Sequence, residues 1–482
     1  MRIFPFLILG FCVIARCLWA VPAAPIDVTL SQPDGSSFRA TPRGDEYGHW
    51  METADGYAVV RELGIWHYAF RGSRGELLAS PYEVGAPSPR ALEQFPKHSP
   101  PVVDASLFEM RVPRPLYVNG APRSFEMTQP LLTILVSFTD VGFTYAGDAF
   151  QNSVYGTGAS VKEYYLENSY DKFSIAPAME SYGTPNDGIV AVTLGFAHPN
   201  TGANSIVSGA IAGADPYIDY SIYDGDGNAW VSPRELSILL IIAGYEESYG
   251  GEAALTPNIW GQQGAIDSVV HDGVSLWTYA MIGERHATSP LDEHQATIGI
   301  ICHELGHLMF GLPDLYDRDS SSSGIGNWGV MASGSWGSTG TYIGDSPTHF
   351  CAWSKAATNM VAPDDVRTPT TAAAILSSSS NPSIKRLWID RYEIGEHFLV
   401  ANRQQSGYDA ALPGNGLLIW HIDPLIASQN DDETHKLVDL ESADGLAQLD
   451  SNDNDGDPGD PYPGTSNNTL FDDSSNPNSK DY

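Results

Sequence analysis

His303, Glu304 and His307 stand at the spacing H-E-x-x-H. In an α-helix the two histidines fall one turn apart on one face. Both imidazoles can then hold one metal ion while Glu304 reaches a water beside it. The chemistry this implies is metal-assisted hydrolysis, with the metal as Lewis acid and the carboxylate as proton carrier. A helix is expected here on independent grounds. Ile298, Ile301, Cys302, Leu305 and Met309 keep the spacing of one buried face. At about 100° per residue that face lies roughly 160° from the histidines. The apolar side should therefore dock on a core, with the histidine side looking into a cleft. Ser289-Pro290-Leu291-Asp292 offers an N-cap, a first-turn proline and a capping-box-like acid. Gly311 and Pro313 stop the helix.

Downstream, Gly326-Asn327-Trp328-Gly329-Val330-Met331 continues into Ala332-Ser333-Gly334-Ser335-Trp336. A methionine-bearing turn after the zinc helix resembles the metzincin pattern, in which Met331 forms an apolar floor beneath zinc. A second motif precedes the helix. Asp224-Gly225-Asp226-Gly227-Asn228-Ala229-Trp230-Val231-Ser232-Pro233-Arg234-Glu235 follows the twelve-residue EF-hand loop. Asp224, Asp226, Asn228 and Ser232 supply oxygens, Trp230 a backbone carbonyl and Glu235 a bidentate carboxylate. Ala229 replaces the expected glycine, which strains the turn. Calcium here is expected to be structural, because nothing in the loop resembles a reacting group.

The net charge is -34, from 59 acidic against 25 basic residues. Nucleic acid and anionic membrane are poor partners for such a chain. An acid-rich, lysine-poor surface suits an extracellular protein that binds calcium. The N-terminus has the form of a secretory signal: Arg2, an apolar run from Ile3 to Ala15, then Ala20 or Ala23 for cleavage. No later run reaches the roughly 18 apolar residues of a membrane span. Secretion as a soluble protein is expected. Cys12 and Cys17 leave with the signal, so Cys302 and Cys351 remain. Two separately buried thiols are expected, since Cys302 lies on the core face of the helix.

From about 24 to 112 the chain shows short strands between Asp-Gly turns, then the Pro-rich stretch 85–101, which has the composition of a linker. A small β-rich unit between a signal and a protease domain is expected to be an inhibitory propeptide. With no cysteine between Cys17 and Cys302, a thiol cannot cap the metal, so another ligand or steric cover must. From about 127 strands and helices alternate. Ser275–Met281, a strand just before the helix, is placed either to pair with an extended peptide at a sheet edge or to be covered; the sequence leaves both open. After about 362 the pattern returns to strands. The acidic run Asp450–Asp457 is either a further calcium site or a solvated loop. Tyr482 ends the chain in loop-like sequence with no closing strand, as a truncated C-terminus would.

With these motifs together, the chain resembles the immune inhibitor A family of secreted bacterial metallopeptidases. The resemblance takes in Gly44 through Glu52, Glu304 through Asp317, Gly326 through Met331 and Gly416 through Asp423. It implies a zinc endopeptidase made as a zymogen, with bound calcium and protein or peptide substrates. The fold implied is α+β: a metzincin-like catalytic domain with a mixed twisted sheet, active-site helix and Met-turn. A β-rich prodomain and a β-rich C-terminal region flank it. The expected division is signal 1–23, propeptide 24–112, catalytic domain 113–362 and C-terminal region 363–482. The family pattern HExxHxxGxxD gives the third zinc ligand as Asp314. Three residues rather than two separate His307 from Gly311 here, a shift of about 1.5 Å and 100° along a helix. A bulge that absorbs it keeps Asp314; otherwise Asp317 serves. Tyr316 and Tyr342 are candidate oxyanion donors by position and type. Two rival classes are a non-catalytic binding protein on the same fold and a zinc hydrolase for non-peptide substrates. The intact Glu304 speaks against the first.

Overall fold

The computed structural model describes residues 18–86, 89–102, 127–200, 202–368, 373–388, 395–426 and 429–482. The expected signal core and the expected 112/113 boundary lie outside the described residues. The fold is α+β, with three sheets and few helices.

The central sheet is mixed. Met127–Ser137, Ile189–Thr193, Ser237–Glu246 and Val274–His286 run parallel, and Gln262–His271 runs antiparallel to Val274–His286. Ser237–Glu246 is buried along its whole length because both faces are covered. In Ser237–Glu246, Leu239 and Ile241 enter the core on one face. Ile238, Leu240 and Ile242 enter the core on the other. Helices Gly147–Tyr155, Val161–Ser169 and Ile298–Phe310 pack on the first face, and Ala203–Ala214 on the second. Ser160 caps its helix by accepting from the Glu163 amide.

Ser275–Met281 lies in the interior of the sheet, since Val274–His286 has a partner on each side. The edge-strand alternative is thus excluded. Beyond it lies Gln262–His271, and Leu18–Ala20 pairs antiparallel with its Gln262–Gly264 portion as the outermost strand. Sequence could not separate a central strand from an edge strand, because pairing is set by long-range contacts.

Six antiparallel strands from Val28–Ser31 to Leu77–Glu83 form a second sheet in sequence order. The Pro-rich stretch that follows is docked rather than free: the His98 amide donates to the Gly56 carbonyl, and Val102 to that of Gly75. The third sheet is built from Asp364–Asp365, Ile384–Trp388, His397–Arg403, Gly416–Ile422 and Val438–Leu440. Leu418, Trp420 and Ile422 from this sheet share one core with Met331 and the HExxH helix. No described helix is long and apolar enough to cross a membrane.

Candidate metal centre and calcium loop

The HExxH helix spans Ile298–Phe310. Its N-cap is Thr297, not Ser289. The sequence Ser289–Asp292 forms a tight turn instead, in which the Asp292 carboxylate accepts from Thr288 and Ser289. The capping chemistry read from these residues was real but closes on itself. Gly311 ends the helix with φ +66°, and its amide donates to the His307 carbonyl. The expected core face is as read, but the histidine face is not open: every residue from Ile298 to Met309 is buried. Gly299 and Gly306 let the surroundings close on the helix. A Cβ at Gly299 would stand 1.9 Å from the Ser335 carbonyl oxygen, and one at Gly306 would stand 2.7 Å from Met331 Sδ.

His303 Nδ1 lies 2.7 Å from the Val330 carbonyl, and His307 Nδ1 lies 2.6 Å from that of Leu312. A carbonyl only accepts, so each Nδ1 carries the proton and each Nε2 presents its lone pair. The two Nε2 atoms are 2.9 Å apart. Asp314 Oδ1 lies 3.2 Å and 3.1 Å from them. Neither Asp314 oxygen has a donor aligned for a hydrogen bond. Three buried lone-pair donors therefore face one point with no proton to share, an arrangement that a cation relieves. Burial, the largest effect, lowers the pKa of His307.

The helix simply runs to Phe310 before Gly311 turns the chain, and Leu312–Asp314 then comes back across it. Asp317 points elsewhere: its carboxylate accepts from the Asp319 and Ser322 amides and from Ser321 Oγ. The Met331 stretch acts as a bracket. Val330 holds His303, and the Met331 carbonyl accepts from the Leu315 amide next to Asp314.

Both Glu304 oxygens are buried without a hydrogen-bond partner. Burial first, then the charges of Asp314 and Glu246, push its carboxyl well up. The Val21 and Gln263 amides face it and pull the other way. Over this centre sits the turn between strands Ser37–Gly44 and His49–Thr53. Asp45 is buried, and Tyr316 Oη donates to its Oδ2 at 3.2 Å. The Glu46 carboxylate is buried too, and burial together with the charges of Asp45, Asp314 and Glu304 raises its pKa far above the usual range. Nothing in the sequence near the histidines signals that this turn lies over the candidate metal ligands. The crevice lined by Pro22, Asp45, Tyr316 and Arg318 follows the same seam and stops short of the histidines. Tyr342 is partly exposed and stacks on His294 at 3.7 Å.

In the EF-hand-like loop the carboxylates of Asp224, Asp226 and Glu235 gather within 4.8 Å of one another. Asn228 Oδ1 accepts from the Trp230 amide, and Ser232 Oγ donates to Glu235. Ala229 has φ +62°, the left-handed conformation the missing glycine would favour. No helix pair flanks this loop: a short 3-10 turn, Tyr220–Tyr223, precedes it and a strand follows. Val231 pairs with Ser275 and Trp230 stacks on Trp277, which fixes the loop to the central sheet. In the acidic C-terminal stretch the gathered carboxylates are Asp444, Asp457 and Asp460, while Asp450 is taken by Lys436. Cys302 and Cys351 are both buried free thiols, as expected.

Residues 136–361 match the family model for the catalytic domain of immune inhibitor A peptidase M6. Over 241 residues the chain is 27% identical to the pre-pro-metalloprotease PrtV of Vibrio cholerae serotype O1, found in two strains. That match covers 45% of this chain and 25% of the relative, so the chain spans about a quarter of the curated relatives it matches. The resemblance to the immune inhibitor A family is borne out, and metalloprotease is the class that both comparisons support.

Proposed function

We propose that this chain is a secreted zinc-dependent endopeptidase made as a zymogen. The observation that carries this reading is the convergence of His303 Nε2, His307 Nε2 and Asp314 Oδ1 at 2.9–3.2 Å, beside the unpartnered carboxylate of Glu304. Two neutral imidazoles and one carboxylate form a donor set that suits zinc. Zinc held there supplies a Lewis acid that makes water more acidic and polarises a carbonyl. Glu304 takes a proton from the attacking water on one Oε and passes it to the leaving amine nitrogen as the C–N bond breaks. Burial favours this role, because it raises the carboxyl and makes its anion a better proton acceptor. Met331 packs against Gly306, which lies between the two histidines on the helix. Tyr316 is the better oxyanion donor of the two tyrosines, since burial keeps its hydroxyl protonated and it sits beside the centre.

Residues 24–112 serve as the propeptide in this reading. The Asp45-Glu46 turn occupies the position a substrate needs, and Tyr316 Oη is tied to Asp45 until the turn leaves. Residues 1–23 are the secretory signal, 113–362 the catalytic domain of metzincin type and 363–482 the C-terminal region. Asp224, Asp226, Asn228, Trp230, Ser232 and Glu235 hold a structural calcium. A panel of unfolded proteins, tested beside small esters and amides after removal of residues before about 113, tests the substrate class. Internal cleavage of the unfolded proteins is expected. Turnover confined to the small esters and amides would overturn the endopeptidase reading.

A further inference from the structure

One arginine reaches back from the third sheet into the catalytic core. Arg403 ends the strand His397–Arg403 and is 2% exposed. Asp409 follows in the turn Gly407–Ala411 and is fully buried. Their contact is bidentate. Arg403 Nε donates to Asp409 Oδ2 at 2.7 Å, and Nη2 donates to Oδ1 at 2.5 Å. Both side chains also grip the main chain around Val330. Arg403 Nη1 donates to the Trp328 carbonyl at 3.1 Å. Asp409 Oδ1 accepts from the His349 amide at 2.9 Å. The His349 carbonyl accepts in turn from the Val330 amide at 3.4 Å. Val330 is the residue whose carbonyl holds His303 Nδ1. The pair therefore fixes the chain just before that carbonyl, at Trp328, and across from it, at His349. The Trp328 indole is held too, donating to Asp460 Oδ2 at 2.9 Å.

A buried ion pair is weak evidence for stability, because taking two charges out of water costs about as much as their attraction returns. What this pair supplies is direction. The guanidinium is a rigid planar fork: two of its nitrogens take the carboxylate, and the third is left for one carbonyl. A lysine, a point charge on a flexible stem, does not reproduce that fork. We propose that Arg403 and Asp409 are positioning residues for the metal centre. Acting through Trp328, His349 and Val330, they fix the carbonyl that keeps His303 Nδ1 protonated and its Nε2 lone pair turned to the ion. This rests on the zinc reading of that centre. Neither residue touches metal or substrate. The metal centre is then not complete at about residue 362: the C-terminal region supplies part of its frame. Groups behind a metal-binding histidine change metal affinity by about 10–100-fold when altered. The pair stands further out than Val330, so the lower end of that range applies.

The test is the zinc affinity of the full chain, stripped with chelator and titrated with Zn²⁺ against a chromophoric competitor. The visible absorption of the Co²⁺ form is a second readout. Arg403→Lys and Asp409→Asn should each bind zinc about tenfold more weakly and shift the Co²⁺ bands. Combining them should add little, because the two act as one unit. Ile211→Ala is the control, since it removes packing on the far face of the central sheet. It should lower thermal stability and leave both readouts unchanged. Unaltered zinc affinity and Co²⁺ bands in Arg403→Lys and Asp409→Asn would overturn the proposal and leave the zinc reading standing. An equal loss in Ile211→Ala would do the same. No zinc bound by the unaltered chain would sink both. Should Arg403→Lys and Asp409→Asn fail to fold, Asp409→Glu takes their place, because it keeps both charges and moves the carboxylate by one carbon. Weakened zinc binding there supports the positioning role, and unaltered binding overturns it.

Discussion

Ala229 and Gly227 sit two residues apart in the EF-hand-like loop with φ +62° and +71°, so both occupy the left-handed region. For a residue with a Cβ that conformation costs about 1–2 kcal/mol. Ala229→Gly removes this cost, but glycine loses about 0.5–1 kcal/mol more backbone entropy on folding. The net expectation is a gain of about 0.5–1 kcal/mol. Gly227→Ala should do the reverse. A Cβ there would meet nothing within 4 Å, so its effect is conformational only. Thermal unfolding in saturating calcium is the right assay, because it compares the closed loop with the unfolded chain. For a domain of this size the shift should be about 1–4 °C upward for Ala229→Gly and a similar amount downward for Gly227→Ala. A neutral or destabilising Ala229→Gly, with Gly227→Ala harmless, would refute the claim that this turn is strained by the alanine.

Three further outcomes follow from the catalytic side. Asp314→Asn should abolish zinc retention after dialysis, whereas Asp317→Asn should keep the zinc and lower thermal stability, because Asp317 holds its own loop; the metal count separates the two. Gly299→Ala should cost several kcal/mol, beyond the usual 1–3 kcal/mol for overpacking, because a backbone carbonyl blocks its Cβ. Gly306→Ala meets the side chain of Met331 instead, and the roughly 1 kcal/mol gained in helix propensity offsets part of its cost; chemical denaturation ranks them. The Cys302 and Cys351 thiols, raised by burial, should resist alkylation in the folded chain and react on unfolding.

The candidate metal ligands were legible because their chemistry is local. Helical spacing sets His303, Glu304 and His307 together, and a glycine stop brings Asp314 back within a few residues. The turn of the EF-hand-like loop was legible for the same reason, down to the left-handed Ala229. What sequence could not supply were contacts between distant segments. Tyr316 and Asp45 are 271 residues apart along the chain, so nothing near the histidines announced that a turn covers them. The same lack of range left Ser275–Met281 undecided between edge and interior. The cap misread at Ser289 has a different cause: an Asp three residues after a Ser closes a turn as readily as it opens a helix.

The central claim is that Glu304 moves the proton in a metal-dependent cleavage of peptide bonds. Casein hydrolysis by the processed protein, with and without a zinc chelator and beside Glu304→Gln, tests it most directly. The account predicts activity that chelator removes and zinc restores, and a Glu304→Gln protein that retains its zinc but cleaves nothing. Cleavage by Glu304→Gln at the unaltered rate, or zinc bound in full by a processed protein that cleaves no protein, would contradict it.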